Sequence, residues 1–92
     1  MSTQNKQNLP KIDFSTFILS LFTAAEFHLG EIPDPDTGEF RKNLDMAKET
    51  IDIIMMLREK TSKNLTPDED KLLENLLSNL QMTFVKNSGS SN

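Results

Sequence analysis

Apolar residues recur at helical spacing in three segments of the chain. Nowhere do apolar and polar residues alternate over the length that a half-buried strand requires. The segments run from about Phe14 to Leu29, from about Leu44 to Thr61, and from Pro67 through Phe84. The pattern therefore predicts an all-α fold of three helices.

The first predicted helix has one broad apolar face. At about 100° per residue, most of its apolar side chains fall in one arc of about 160°, opposite Ser, Thr and Glu residues. That arc comprises Phe14, Phe17, Ile18, Leu21, Phe22, Ala24, Ala25 and Leu29. Leu19 and Phe27 point to the polar side instead. Asp13 is placed to cap the N-terminus, and Gly30 to end the helix in a left-handed conformation.

The second predicted helix has a wider apolar arc, of about 200°, than a helix covered on one side requires. One part of the arc holds Leu44, Ala47, Ile51, Ile54 and Met55, and a second part holds Met46, Ile53 and Leu57. We expect this helix, capped by Asn43, to have neighbours on two sides.

The third predicted helix has the clearest start in the chain. Thr66 is a suitable N-cap, Pro67 fits the first helical position, and Glu69 can complete a capping box. Its one apolar face comprises Leu72, Leu73, Leu76, Leu77, Leu80 and Phe84. The link "TSKNLT" is short enough to force an antiparallel hairpin of helices 2 and 3, with Asn64 as the expected left-handed residue. The fold class is thus a three-helix bundle, which we expect to assemble as an oligomeric helical bundle.

Composition limits the classes of protein that remain. The 92 residues suit one small domain, which we place at residues 12–86 between polar, disordered tails at 1–11 and 87–92. With no cysteine and one histidine, a Cys/His zinc site is excluded within one chain. The net charge of −4 and scattered basic residues argue against nucleic-acid binding. The N-terminal "MSTQNKQNLPK" lacks a signal-peptide pattern, so a cytoplasmic location is expected.

The stretch "HLGEIPDPDTGEF" holds the strongest candidate chemistry. As a calcium loop it lacks a third ligand before the glycine and the glutamate at the twelfth position. As an acid–base site it fails because Glu26 and His28, two residues apart on a helix, diverge by about 200°. We predict no catalytic, cofactor or metal site, and so no enzyme. Its acidic residues, Glu31, Asp34, Asp36 and Glu39, form a candidate loop for a basic protein partner.

Five phrases carry a resemblance to a known family: "DFSTFILSL", "HLGEIPDPDTGE", "NLDMAKETIDI", "MLREKT" and "NLTPDEDKLLENLL". In this order and spacing, over about Asp13 to Val85, the chain resembles a small bacterial family classed as a domain of unknown function, number eighteen forty-four. Lys63 stands where glycine is common in that family, and Phe84 where tyrosine is common. The resemblance implies a bacterial, cytoplasmic, helical protein and supplies no reaction, ligand or catalytic residue.

The unmatched apolar residues predict self-association. Three helices can cover one another's main faces, which leaves a candidate self-association surface of Leu19, Phe27, Met46, Ile53 and Leu57. We expect a non-catalytic oligomerising or protein-binding module, most simply a two-fold homodimer. The alternative is a peripheral membrane protein that contacts lipid through Leu19, Phe22 and Phe27 of helix 1, although that helix lacks the basic face that anionic membranes favour.

Overall fold

The structure is a computed structural model, and it describes residues 12–89. These residues form three α-helices and no strand: α1 (Phe14–Leu29), α2 (Leu44–Lys60) and α3 (Pro67–Asn87). The predicted all-α class is confirmed. Helix α3 extends through Asn87, one residue into the predicted C-terminal tail. Residues 1–11 and 90–92 of the predicted tails lie outside the described residues.

Side-chain caps begin each helix at its predicted residue. Asp13 Oδ1 accepts a hydrogen bond from Thr16 N at 2.8 Å, and Asn43 Oδ1 accepts one from Met46 N at 3.1 Å. Thr66 and Glu69 form the predicted capping box, with reciprocal bonds of 2.9 and 3.1 Å. These bonds satisfy backbone N–H groups that have no partner within the helix, so the polar residues ahead of each apolar segment determine where that helix starts.

Helix α1 ends at a glycine in the left-handed conformation, as predicted. Gly30 has a φ of 81°, and its N–H donates to the carbonyl oxygen of Phe27 at 3.0 Å. The N–H of Glu31 donates to the carbonyl oxygen of Glu26 at 2.9 Å, which completes a Schellman motif. A Cβ at Gly30 would lie 3.4 Å from Lys42 Cβ, an ordinary contact distance, so glycine is favoured there by its conformation and not by lack of space.

The link between α2 and α3 differs from the prediction at one residue. Lys63, and not Asn64, has the left-handed backbone, with a φ of 76°. Asn64 N–H donates instead to the carbonyl oxygen of Thr61 at 2.8 Å. Asn64 was favoured because asparagine tolerates positive φ, but the turn that starts at Thr61 places the reversal one residue earlier.

The helices form an up-down-up bundle in which each helix packs against the other two. Asn43 N–H donates to the carbonyl oxygen of His28 at 2.7 Å, so α2 begins beside the end of α1. Arg58 lies 3.6 Å from Asp70, which joins the end of α2 to the start of α3. The predicted antiparallel hairpin of α2 and α3 is confirmed.

The buried core takes apolar side chains from all three helices. Its residues are Ile18, Ala25 and Leu29 of α1, Ala47, Ile51 and Ile54 of α2, and Leu73, Leu77 and Leu80 of α3. Two residues that the sequence placed on core-facing arcs, Phe17 and Met55, are exposed instead, because each lies at the edge of its arc. Thr50 is buried, and its hydroxyl donates to the carbonyl oxygen of Met46 at 3.0 Å.

Candidate functional site

The acidic loop uses one of its carboxylates to hold its own turn. Asp34 Oδ1 accepts a hydrogen bond from Asp36 N at 2.7 Å, and the Asp34 carbonyl oxygen accepts one from Gly38 N at 2.7 Å. Glu39 lies 3.7 Å from Arg41. Within residues 12–89, no group of three or more His, Asp or Glu side chains is placed to hold a metal ion. Asp36 is exposed, and it forms no ion pair with a residue in the range 12–89.

Glu31 lies against α3 instead of projecting from the loop. Its carboxylate accepts a hydrogen bond from Asn87 Nδ2 at 3.0 Å and lies 4.0 Å from Lys86 Nζ. These contacts join the end of α3 to the end of α1. The four predicted acids are therefore not equivalent, since Glu31 has a structural partner on another helix.

The carboxyl of Glu26 lies at the same end of the bundle. Partial burial raises the pKa of Glu26 above its ordinary value of 4.5, and the nearby negative charge of Glu31 raises it further. His28 is half-buried in the last turn of α1, and its ring lies 5.1 Å from the ring of Phe27 in a tilted arrangement. His28 is thus partly packed beside Phe27 at the end of α1.

The two edges of α2 face different neighbours, and this determines where the predicted self-association residues lie. Gln81 Nε2 of α3 lies 3.6 Å from Met55 Sδ, so the Met55 edge of α2 faces α3. Ile53 is two residues from Met55 and therefore about 200° around the helix. The Ile53 edge, which also holds Met46 and Leu57, consequently flanks α1.

The two edges of α1 separate in the same way. Glu26 lies on the edge of α1 toward α3, since its neighbour Glu31 bonds to Asn87. Leu19 is seven residues earlier, two helical turns away on the same edge. Phe17 is two residues from Leu19 and therefore on the opposite edge, toward α2. Leu19 and Ile53 thus lie on different faces of the bundle, although the sequence grouped them.

The position of Phe17 along the contact between α1 and α2 can be found from the hydrogen bond that joins His28 to Asn43. Phe17 precedes His28 by the same number of residues as Ile54 follows Asn43, so Phe17 is level with the middle of α2. We define the α1/α2 face as Phe17, Met46, Ile53 and Leu57. Phe17 is 47% exposed, Met46 42% and Ile53 37%, whereas Leu57 is half-buried.

The other two residues of the predicted self-association surface are Phe27 and Leu19. Phe27 is half-buried next to His28. Leu19 is exposed, but on the edge of α1 that faces α3. Phe22, which the alternative membrane interpretation needed, packs against the core. None of the described helices has the length and apolar character needed to cross a membrane.

Sequence reasoning missed a second exposed apolar surface, between α2 and α3. We define the methionine groove as Met55, Gln81 and Val85 between α2 and α3, together with Met82, which borders it on α3; Met82 is 73% and Val85 59% exposed. An open hollow of about 740 Å³ continues from Met55 and Gln81 toward the link between the helices. The sequence contains one indication of this surface, because Met82 and Val85 are apolar residues that lie outside the apolar arc of α3.

The fold and its surfaces define a small all-α protein: one bundle whose apolar side chains are only partly covered. The chain matches the family model "Domain of unknown function (DUF1844)" over residues 11–86. It belongs to this family, and the resemblance noted in the sequence is confirmed. No curated protein and no solved structure matches the chain.

Proposed function

We propose that the protein is a non-catalytic module that self-associates as a two-fold homodimer through the α1/α2 face. The observation that carries the proposal is the exposure of Phe17, Met46 and Ile53 on one face of two packed helices. Complete burial of a large apolar side chain is worth about 1.5 to 3 kcal/mol, and these three realise only part of it. The absence of cysteine suits a reducing bacterial cytoplasm as its location.

Two-fold symmetry suits this face because the face is self-complementary in chemistry. Ile53 lies near its centre, with Met46 one way along α2 and Leu57 the other, and Phe17 beside them on α1. A second copy turned by 180° presents the same apolar side chains to the first, which is the commonest arrangement in soluble oligomers. Covering these side chains would also stabilise a bundle whose buried core is small.

Ile53→Glu tests the proposed face. We expect light scattering to give twice the 10.5 kDa chain mass for the native protein and a single chain mass for Ile53→Glu. The reason is that a carboxylate at the centre of an apolar interface loses its hydration without gaining a partner. Circular dichroism should show that the helices are retained, since Ile53 is partly exposed in the single chain.

Met55→Glu is the matched control, because Met55 has similar exposure on the same helix but lies on the edge that faces α3. It should leave the mass of the dimer unchanged. If Ile53→Glu unfolds, Met46→Glu, which is more exposed, is the substitute. A native protein that is monomeric at high micromolar concentration contradicts the proposal, as does a loss of the dimer in Met55→Glu alone.

A further inference from the structure

The groove between α2 and α3 is long enough to hold another helix. Two hollows between α2 and α3 share Asp52, Met55 and Gln81, so they form one continuous groove. A third hollow, lined by α3 residues alone, adjoins them at Ser78, Gln81 and Val85. Along α2 the groove runs from Lys48 to Glu59, which corresponds to about 17 Å at 1.5 Å per residue, and it continues to Ser62 in the link. A helix of about 11 to 14 residues covers this length.

The side chains of the groove suit an apolar helix face. Phe84 and Ile51 lie in its wall, and Met55, Met82 and Val85 border it with exposed apolar atoms. Methionine is unbranched and polarizable, so methionine-rich surfaces adapt to the side chains of a docked helix. The groove is open along its length, and a small molecule would remain largely in water there.

The negative charges at one end of the groove favour a partner that carries positive charge. Glu59 of α2 and Glu74 of α3 both line it, and neither forms an ion pair with a residue in the range 12–89. The basic residues of the groove are already paired, Lys48 with Asp52 at 2.9 Å, Arg58 with Asp70 at 3.6 Å and Lys86 with Glu31 at 4.0 Å. The groove therefore combines apolar contacts with two free carboxylates.

We infer that the methionine groove binds an amphipathic helix whose apolar face is flanked by Lys or Arg residues. Its cations would lie beside Glu59 and Glu74, where complementary charge favours association. A second copy of this chain is a poorer occupant, because a two-fold pair would bring the same carboxylates of both copies together. The inference uses a different face from the proposed dimer and does not depend on it.

Methionine-methyl NMR with synthetic peptides tests the inference. The probe is a 14-residue helix of Leu at i, i+3, i+4 and i+7 with Lys elsewhere, and its twin carries Glu in place of Lys. We expect the Lys peptide to shift the methyl signals of Met55 and Met82 and to leave Met46, on the α1/α2 face, unchanged. The Glu twin should bind much more weakly.

Charge variants separate this site from a general attraction between a basic peptide and an acidic protein. Replacing Glu59 and Glu74 together with Gln should weaken binding about two- to thirty-fold, the range for two partly exposed ion pairs. Glu49→Gln, on the outward side of α2, is the matched control and should have little effect. Met82→Glu should also weaken binding of the Lys peptide, because it removes apolar contact.

Several results would overturn the inference: no shift at Met55 and Met82 at millimolar peptide, equal affinity for both peptides, or a primary shift at Met46. An equal loss of affinity in Glu49→Gln would do the same, because it would show attraction to net charge only. Repeating the titration with Ile53→Glu separates the two proposals. Binding by this variant supports the groove whether or not the native protein is a dimer.

Discussion

Glu26 and Glu31 flank the Schellman motif that ends α1. In motifs of this type, the side chains at these two positions are commonly apolar and contact each other. The N–H of Glu31 bonds to the carbonyl oxygen of Glu26, which brings the two residues together. The carboxylate of Glu31 gains contacts with Asn87 and Lys86. Glu26 is instead partly desolvated beside a like charge, and its pKa is raised. The cap thus contains one well-placed carboxylate and one poorly placed carboxylate.

Replacing Glu26 with Gln should stabilise the protein at neutral pH. A carboxyl whose pKa is raised on folding makes its full stabilising contribution below its unfolded pKa, about 4.5, and loses that contribution as the pH rises through the folded value. Gln stays neutral, so we expect Glu26→Gln to raise Tm by about 2 °C at pH 7. The difference from the native protein should vanish below pH 4.5.

Glu49→Gln removes the same formal charge from an exposed position and controls for the net charge of −4. Thermal melts at a series of pH values compare the two variants. A gain in Glu26→Gln that is independent of pH, or one that Glu49→Gln reproduces, would show that desolvation of Glu26 is not its cause.

At the scale of the helices, local sequence determines the ends, and one connection carries strain. All three helices begin after a capping side chain, and α1 ends at a glycine with positive φ. The link from α2 to α3 instead places Lys63 in the left-handed region, which a side chain with a Cβ adopts at a cost of about 1 kcal/mol or more. Glycine, which has no Cβ, would remove that cost.

Lys63→Gly should therefore stabilise the hairpin of α2 and α3. We expect a gain of about 0.5 to 1 kcal/mol in the free energy of unfolding, since relief of strain exceeds the added entropy of the unfolded chain. Asn64→Gly is the control. Its neighbour has the positive φ, so glycine at 64 only loosens the unfolded chain and should be neutral or destabilising. Urea unfolding of both variants measures the difference, and the reverse order of stability would restore Asn64 as the left-handed residue.

Much of the fold follows from short-range patterns, and this explains which sequence predictions succeeded. The caps at Asp13, Asn43 and Thr66 each depend on residues within one helical turn, so the helix starts were predictable. The left-handed conformation of Lys63 was not predictable, because the geometry of this turn depends on how two helices meet and overrides the greater tolerance of asparagine for positive φ.

The candidate surfaces were less predictable, because they depend on which neighbour lies on which side of a helix. A helical wheel shows that Leu19 and Ile53 both fall outside a main arc, but it does not show that α3 lies beside one and α1 beside the other. Phe17 was assigned to the core for the same reason. The handedness of the bundle decides these positions, and it is a property of all three helices together.

At the scale of the whole molecule, a small core leaves two apolar faces for other molecules to cover. The α1/α2 face presents exposed apolar side chains of Phe17, Met46 and Ile53, whereas the methionine groove ends in two carboxylates without ion-pair partners within residues 12–89. The first suits an identical copy, and the second suits a partner of opposite charge. One small domain can therefore dimerise and still present a binding groove on each copy.

If the α1/α2 face forms a dimer, the thermal stability of the protein must depend on its concentration. Association stabilises only the folded chain, so Tm should rise by about 3 to 6 °C for each tenfold increase in concentration while unfolding and dissociation are coupled. Ile53→Glu should melt at one temperature throughout a roughly hundredfold range, and at dilutions where the native dimer has dissociated the two proteins should melt closer together. Met55→Glu should keep the native slope. A native Tm that is constant over that range would show that α1 and α2 stay exposed in a stable monomer, and a slope retained in Ile53→Glu would move the dimer contact to another face.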